Sequence, residues 1–307
     1  MDVAAFCCLR PAAGPAWLQS GMVAVVLALL SSLFWGSADF AGGLVSRRVA
    51  VATVVLLSQA TGGVVLLGIC LAAHQPFPHH FWLGMAAGVF GVVGLLLFYG
   101  GLAIGKMSLV APVAGAGAVV PVGFSLVSGQ VPRVITLVGL LCAMSGVILA
   151  SLTSADGTGG PSAPRPRAAA AAAVGAALCF GLFLLLLGRA AHFEPRSVLW
   201  LSLSTRMASV PVLAMGLLVT RRGIPRAGLG RGSLATIALA GLGDATANTL
   251  FALASTLGTL AVVSVLGSLY PLATAGLARV GLGELLSVRQ KLGAGLAMLG
   301  VVLVSLP

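Results

Sequence analysis

The sequence predicts an all-α, polytopic membrane protein with about ten transmembrane helices in two inverted five-helix repeats. Of the 307 residues, 59% are hydrophobic and 7% are charged, and the mean hydropathy is +1.12. This composition excludes a water-soluble domain of the same length. The apolar residues form roughly ten segments, each near the 20 residues that a helix needs to cross the hydrocarbon core. The second half of the chain also repeats the first.

The predicted helices follow one another with short connections. They are placed at residues 22–45, 51–73, 81–103, 107–127, 132–152, 168–190, 196–219, 232–256, 259–280 and 288–306. The alternating polar and apolar residues of a membrane-spanning strand do not occur in the sequence. Helices must therefore satisfy the backbone hydrogen bonds within the lipid.

The chain divides into a tail, two repeats and a linker. Residues 1–21 are predicted to form a poorly structured tail, and translation can start at Met1 or at Met22, which opens the first apolar segment. Residues 153–167 are rich in Gly, Ser and Pro, as flexible connections are. They are predicted to link the first repeat, 22–152, to the second, 168–307.

The repeat is visible in matching segments of the two halves. Ser108 to Pro121 (SLVAPVAGAGAVVP) resembles Gly258 to Pro271 (GTLAVVSVLGSLYP), and a later segment beginning at Gly139 resembles one beginning at Gly293. Since five helices is an odd number, the second repeat must enter the membrane from the opposite side. Inverted repeats of this kind are typical of secondary transporters.

Taken in order, these features resemble the EamA-type branch of the drug/metabolite transporter superfamily. The resemblance covers nearly the whole chain after the first apolar segment begins. It implies ten helices and transport of a small metabolite, often export, without ATP. In the first half Gln130 stands where the second half has Glu284, so this half departs from the family pattern. The residues that carry the resemblance are Trp35-Gly36-Ser37, the helices ending at Pro121 and Pro271, Gly283-Glu284, and Gly293 with Gly300.

Three charged residues, Asp39, Arg206 and Asp244, lie inside the apolar segments. Charges at this depth are expensive and mark binding or coupling sites. Arg206 is predicted near the midplane, and Gln59 occupies the equivalent place in the first half. A guanidinium there either binds a carboxylate or phosphate of the substrate or forms a structural ion pair with an acid from a neighbouring helix.

Asp244 is the natural partner of Arg206, which leaves Asp39 without a basic partner inside the membrane. An unpaired acid in a cavity of low dielectric constant tends to be protonated, and Asp39 is therefore the candidate proton-coupling residue. The alternative is an acid near the interface that Arg47 or Arg48 compensates.

Further candidate residues adjoin these charges or the repeat landmarks. Asn248 lies one turn after the second acid on the same face. Trp35 and Tyr270 are predicted to line a cavity and contact the substrate together with the polar residues. Pro121 and Pro271 each remove a backbone hydrogen bond and are predicted to act as hinges or at packing contacts.

Several other classes of function are excluded or disfavoured by the sequence. It has no phosphate-binding loop, no HExxH motif and no Ser-His pair within the apolar segments, so no enzyme and no cofactor are predicted. His74, His79 and His80 share a short loop and are interpreted as structural. The net charge of +11 does not predict nucleic-acid binding, because Lys and Arg lie between apolar segments, where they meet lipid headgroups.

These observations predict a secondary active transporter that exports a small organic metabolite by alternating access, with proton coupling as a hypothesis. A membrane channel or a non-transporting scaffold is the alternative. An anionic or zwitterionic substrate held by Arg206 competes with a hydrophobic cation held by Asp39 or Asp244. The expected location is a plasma membrane of bacterial type, and a homodimer is compatible with the sequence. Basic residues favour termini outside the cell, whereas the resemblance implies termini in the cytoplasm.

Overall fold

Helices make up nearly all of the part of the chain that the structure describes. The computed structural model describes residues 16–46, 48–104, 113–129, 133–151, 166–219, 229–282 and 288–305, and these residues contain no strand. The helices of the first half are α1 Ala16–Ser46, α2 Val51–Ala73, α3 Phe81–Ile104, α4 Val119–Val127 and α5 Val134–Ser151. Those of the second half are α6 Pro166–Phe193, α7 Val198–Val219, α8 Arg231–Leu257, α9 Leu260–Gly267, α10 Tyr270–Leu282 and α11 Val288–Ser305.

Each predicted membrane segment has a helical counterpart. Within the described residues, α1, α2, α3, α6, α7 and α8 are long and apolar enough to cross a membrane. The other four apolar helical segments are shorter, namely Val113–Val127, Val134–Gly146, Leu260–Thr274 and Lys291–Leu303. The predicted all-α polytopic membrane fold is confirmed.

Two helices begin earlier than predicted. α1 starts at Ala16, so the end of the predicted tail is helical, and α6 starts at Pro166, inside the predicted linker. The backbone N–H groups of the first helical turn have no partner within the helix. Proline is favoured there because the N–H that it lacks would make no helical hydrogen bond. The rest of the linker, together with Gln130 and the Gly283-Glu284 turn, lies outside the described residues.

The predicted helix 259–280 is in fact two helices, and this corrects the prediction. α9 ends at Gly267, and α10 begins at Tyr270. Pro271 lacks the N–H that would bond the Gly267 carbonyl, and its ring clashes with that carbonyl. In the first half, Pro121 stands in the same relation to a short 3-10 turn at Ala116–Ala118. Both prolines therefore follow a local break in the helix.

The packing of α5 against α11 shows a two-fold relation between the halves. A Cβ atom on Gly146 would lie 2.6 Å from the Gly293 carbonyl oxygen, and one on Gly300 would lie 2.6 Å from the Gly139 carbonyl oxygen. Small residues of this kind let two helices approach closely in lipid. Because the two distances are equal, exchanging the two halves of the chain would leave the contact between α5 and α11 unchanged.

The other helix contacts are also related by exchange of the two halves. α1 packs along α8, and its counterpart α6 packs along α3. Likewise α2 contacts α7 and α8, while α7 contacts α2 and α3. Most of these contacts join one half to the other, so the halves interlock and do not form separate five-helix bundles.

The connections α2–α3 and α6–α7 bind each other at one membrane surface. Ser197 Oγ donates a hydrogen bond of 2.7 Å to the Pro76 carbonyl. Glu194 Oε1 accepts one of 3.0 Å from the His79 backbone N–H and lies 2.9 Å from His80 Nδ1. Since α2 ends and α7 begins here, these equivalent helices run in opposite directions, as inverted repeats require. We call residues 74–80 and 194–200 together the interloop contact.

Candidate functional site

A buried ion pair joins α7 to α8 near the middle of both helices. Arg206 Nη1 lies 2.7 Å from Asp244 Oδ2, and the two side chains are 5% and 27% exposed. Gln59 on α2 binds both partners: its Nε2 donates to Asp244 Oδ2 over 3.0 Å, and its Oε1 accepts from Arg206 Nη1. Ser209 Oγ donates to the same Gln59 oxygen over 3.0 Å. The pairing of Arg206 with Asp244 predicted from the sequence is confirmed.

Close helix contacts set the position of these polar side chains. A Cβ atom on Gly241 would lie 2.9 Å from the Ser58 carbonyl carbon, and one on Gly88 would lie 2.7 Å from the Thr205 carbonyl carbon. The residue after each of these carbonyl groups carries a polar side chain. Gln59, which follows Ser58, has an amide, and Arg206, which follows Thr205, has a guanidinium. The backbone therefore places the two groups equivalently, and only their chemistry differs.

The Arg206 guanidinium is not fully satisfied. Its Nε and Nη2 atoms are buried and have no hydrogen-bond partner among the described residues. Buried donors without partners lose their hydration without compensation, which costs about 1–3 kcal/mol for each group. The surrounding contacts hold Arg206 in place despite this loss.

Trp35 on α1 is the centre of an aromatic cluster. Its Nε1 donates a hydrogen bond of 2.8 Å to Asn248 Oδ1 on α8. The indole centroid lies 5.6 Å from that of Phe251, 6.2 Å from that of Phe183 and 6.5 Å from that of Tyr270. A buried indole needs a partner for its N–H, and the bond to Asn248 fixes the orientation of the ring.

Asp39 lies one turn after Trp35 and lines the same space. Among the described residues its carboxylate has no hydrogen bond or ion pair, and it experiences the like charge of Asp244. Asp39 lines the cavity, and Arg48 is exposed. Arg47 lies outside the described residues.

These side chains surround a cavity between the two halves. Its empty volume, including the open mouth, is about 760 Å³. Gln59, Arg206 and Ser209 contribute polar groups from α2 and α7. The polar wall, on α1, α8 and α10, consists of Trp35, Asp39, Asp244, Asn248 and Tyr270, and the apolar wall, on α3 and α6, consists of Gly91, Leu95, Phe98, Phe180, Phe183 and Leu184.

Tightly packed side chains lie between the cavity and the interloop contact. Leu187 on α6 and Phe251 on α8 follow the lining residues in that direction, and both are completely buried. Phe251 touches the Trp35 ring directly, so it forms a floor beneath the polar wall.

In the interloop contact, the hydrogen bond from His80 holds the pKa of Glu194 below its usual value, with help from the His79 backbone N–H.

All seven polar and aromatic residues singled out in the sequence line this one cavity, while Pro121 and Pro271 lie outside it. Sequence reasoning missed Ser209, Phe180 and Phe183. Phe180 stands at the repeat position of Trp35, so the repeat itself contained the signal. Within the described residues, no three His, Cys, Asp or Glu side chains are grouped to hold a metal ion. The predicted residues are Trp35, Asp39, Gln59, Arg206, Asp244, Asn248 and Tyr270.

Comparisons with known proteins agree with this architecture. A solved structure described as "Crystal structure of protein" superimposes with a TM-score of 0.74 at 17% sequence identity, over 92% of this chain and 96% of that chain. It shows a shared fold. No curated protein sequence matches the chain. The model of the EamA-like transporter family matches residues 22–152 and again 167–306. The chain therefore belongs to the EamA-like transporter family.

Proposed function

We propose that the protein is a secondary active transporter that exports a small organic metabolite by alternating access, with proton coupling through Asp39. The observation that carries the proposal is the cavity, which lies between interlocked halves, is lined by the charged side chains of Asp39, Arg206 and Asp244, and is separated from the interloop contact by completely buried side chains. A site between inverted repeats can be exposed to each membrane surface in turn by rocking one part against the other. Export is the direction that the resemblance to drug and metabolite transporters supports.

The polar network is proposed to bind the substrate and to hold Asp244 in place. Trp35 and Tyr270 offer ring faces, and Asn248 keeps the indole oriented. Gln59 and Arg206 hold the Asp244 carboxylate through one shared oxygen, Oδ2. The other Asp244 oxygen and the free Asp39 carboxylate remain available to a substrate.

Opening of the cavity toward the interloop contact requires two contacts to separate. One is the contact of Phe251 with the Trp35 ring, and the other is the interloop contact itself. Pro121 and Pro271 are proposed as the hinges, because each follows a break in its helix where backbone hydrogen bonds are already missing. Each break lies in a short apolar segment at equivalent positions of the two halves. Rotation at such a break leaves fewer additional backbone groups without a hydrogen bond than bending of a regular helix does.

Counterflow in proteoliposomes tests the transport proposal. A thermal-shift screen of the purified chain against amino acids, nucleobases and cationic dyes first identifies a binder by its stabilising effect. We then expect saturable uptake of the labelled binder that is accelerated by unlabelled binder inside the vesicles. Ohmic conductance without counterflow would identify a channel, and no flux of any binder would identify a scaffold.

Proton coupling has its own test, with Asp39→Asn. In the unmodified protein an imposed pH gradient is expected to drive uptake of the binder, since Asp39 carries the proton. In Asp39→Asn the gradient should have no effect on uptake, measured at a binder concentration raised to offset the weaker binding of this variant. A normal response of this variant to the pH gradient contradicts the role of Asp39.

A further inference from the structure

We infer that the substrate is an amphipathic organic cation whose positive head and a proton occupy the Asp39 carboxylate in turn. This inference rests on the proposed transport function. It adds the chemical class of the substrate and the competition between substrate and proton at one residue.

The first step is the charge of the cavity. Among the described lining residues the charged ones are Asp39, Asp244 and Arg206, which sum to a single negative charge when all are ionised. Arg206 is committed to Asp244 by a contact of 2.7 Å. The excess charge therefore resides on Asp39, and an unpaired buried charge is strongly unfavourable. A proton or a monovalent cation restores neutrality, whereas an anion increases the imbalance.

Among the described residues that line the cavity, no other group neutralises Asp39. Tyr270 on α10 and Asp244 on α8 share the cavity with it, and Arg206 on α7 is paired. The residues that α3 and α6 contribute to the lining are glycine or apolar side chains. Gln59 on α2 is neutral. Ionisation of Asp39 thus depends on what fills the cavity.

An anionic substrate group has no accessible cationic partner among the described lining residues. The Nε and Nη2 atoms of Arg206 are free of hydrogen bonds but are themselves buried. The third nitrogen, Nη1, binds Gln59 and Asp244. A carboxylate or phosphate would have to displace Asp244, which would add a second unpaired carboxylate to the cavity.

The two walls fit the two ends of an amphipathic cation. Trp35 and Tyr270 line the cavity together with Asp39, and an ammonium group over such rings is attracted by them most strongly when it is desolvated. Across the cavity, Phe98, Phe180 and Phe183 present apolar rings without a charge. A charged head on the polar wall and an apolar body on the apolar wall satisfy both surfaces.

The exchange step balances in protons and charge. When the ammonium group arrives, the O–H bond of the neutral Asp39 carboxyl breaks, and its proton passes to water in the open mouth. The carboxylate then pairs with the cation, so the cavity stays neutral. Release of the cation on the other side and protonation of Asp39 there complete an exchange of one cation for one proton.

Three probes with the same phenyl ring test the inference, namely phenethylamine, phenylalanine and 3-phenylpropionate. They carry a cationic, a zwitterionic and an anionic head at neutral pH. Calorimetric titration of the full chain in detergent should show phenethylamine binding at least ten times more tightly than the other two. Its affinity should rise by up to about tenfold per pH unit until Asp39 is ionised, since one proton is released per cation.

The variant Asp39→Asn should lose both the pH dependence and at least tenfold in phenethylamine affinity. Ser37→Ala is the matched control, because Ser37 lies on the same helix, is exposed, and bonds only the Leu33 carbonyl of its own turn. It should keep both properties. The comparison of the three probes on the unmodified protein needs no variant, so a folding defect in Asp39→Asn does not weaken the test.

Tighter binding of phenylalanine or 3-phenylpropionate, or binding of phenethylamine that is independent of pH, overturns the inference. These results are separate from the test of transport. Phenethylamine binding with proton release but without counterflow contradicts only the transport proposal. Counterflow of a zwitterion or an anion, without binding of phenethylamine, contradicts only the cation inference.

Discussion

The two walls of the cavity are built from equivalent helices, yet they carry opposite chemistry. Trp35 and Asp39 on α1 correspond to Phe180 and Leu184 on α6, at the same spacing along the helix. On the neighbouring helices, Gly241 of α8 and Gly88 of α3 are the tightly packed glycines. Asp244 lies three residues after the first, and Gly91 lies three residues after the second. One wall thus provides charged groups and the other an apolar surface, although each wall contains helices from both halves.

The difference teaches which parts of a repeat can diverge. At the helix contacts a Cβ atom would meet backbone at less than 3.0 Å, so both halves keep glycine there. Side chains that line the cavity border empty volume on one side. They can specialise without disturbing the fold, and the asymmetry of the walls follows.

The largest expected effect comes from making the second half resemble the first. Arg206→Gln leaves Asp244 unpaired, and removal of one partner from a buried ion pair costs about 3–5 kcal/mol. We expect the lower end of this range, because Asp244 is partly exposed to the cavity. The double variant with Asp244→Asn should be more stable than Arg206→Gln alone, as measured by the free energy of unfolding in detergent. Equal losses would mean that the pair is not coupled.

The second prediction concerns the positions at which the halves have stayed alike. Gly146→Ala and Gly300→Ala should each destabilise the protein by about 1–3 kcal/mol, because the new methyl group meets backbone of the facing helix. The two losses should be equal within error. Gly295→Ala is the control, since nothing lies within 4 Å of its Cβ position. Unequal losses in thermal unfolding would show that the two-fold relation does not extend to energetics.

A third test places the same side chain on both walls. Leu184 is 6% exposed, and Leu184→Asn buries an amide among apolar neighbours at a cost of about 1–3 kcal/mol. Asp39→Asn, at the equivalent position, should not destabilise the fold, because it removes a charge that faces Asp244. Comparison of the two unfolding midpoints measures the asymmetry directly. A smaller loss for Leu184→Asn than for Asp39→Asn contradicts it.

The smallest effect is expected at the interloop contact, where equivalent helices meet at the membrane surface. The hydrogen bond from His80 lowers the pKa of Glu194, so this carboxylate stabilises the fold above its unfolded pKa of about 4.3. That contribution is lost as the pH falls through the lowered, folded pKa. It should not exceed about 1 kcal/mol because the pair is partly exposed. Glu194→Gln should therefore flatten the acid limb of a stability profile, and an unchanged limb would contradict the assignment.

Much of the architecture was predictable because membrane folding leaves local traces in a sequence. Apolar segments of spanning length predicted the helices, and the offset of the matching segments correctly made Gln59 equivalent to Arg206. The isolated charges pointed to the cavity, since charge is rare at bilayer depth. The break between α9 and α10 was missed, although Pro271 marked it, because the hydropathy of the segment is continuous across the proline.

The sequence by itself determined the membrane class, the two repeats, the family resemblance and the set of polar residues. Only the tertiary structure decided how those residues pair and which wall each one belongs to. The bond from Trp35 to Asn248 spans 213 positions of the chain, and that from Gln59 to Asp244 spans 185. Such contacts depend on how the interlocked helices are rotated and spaced. Close backbone approaches at glycines set that rotation, and no local pattern in the sequence encodes it.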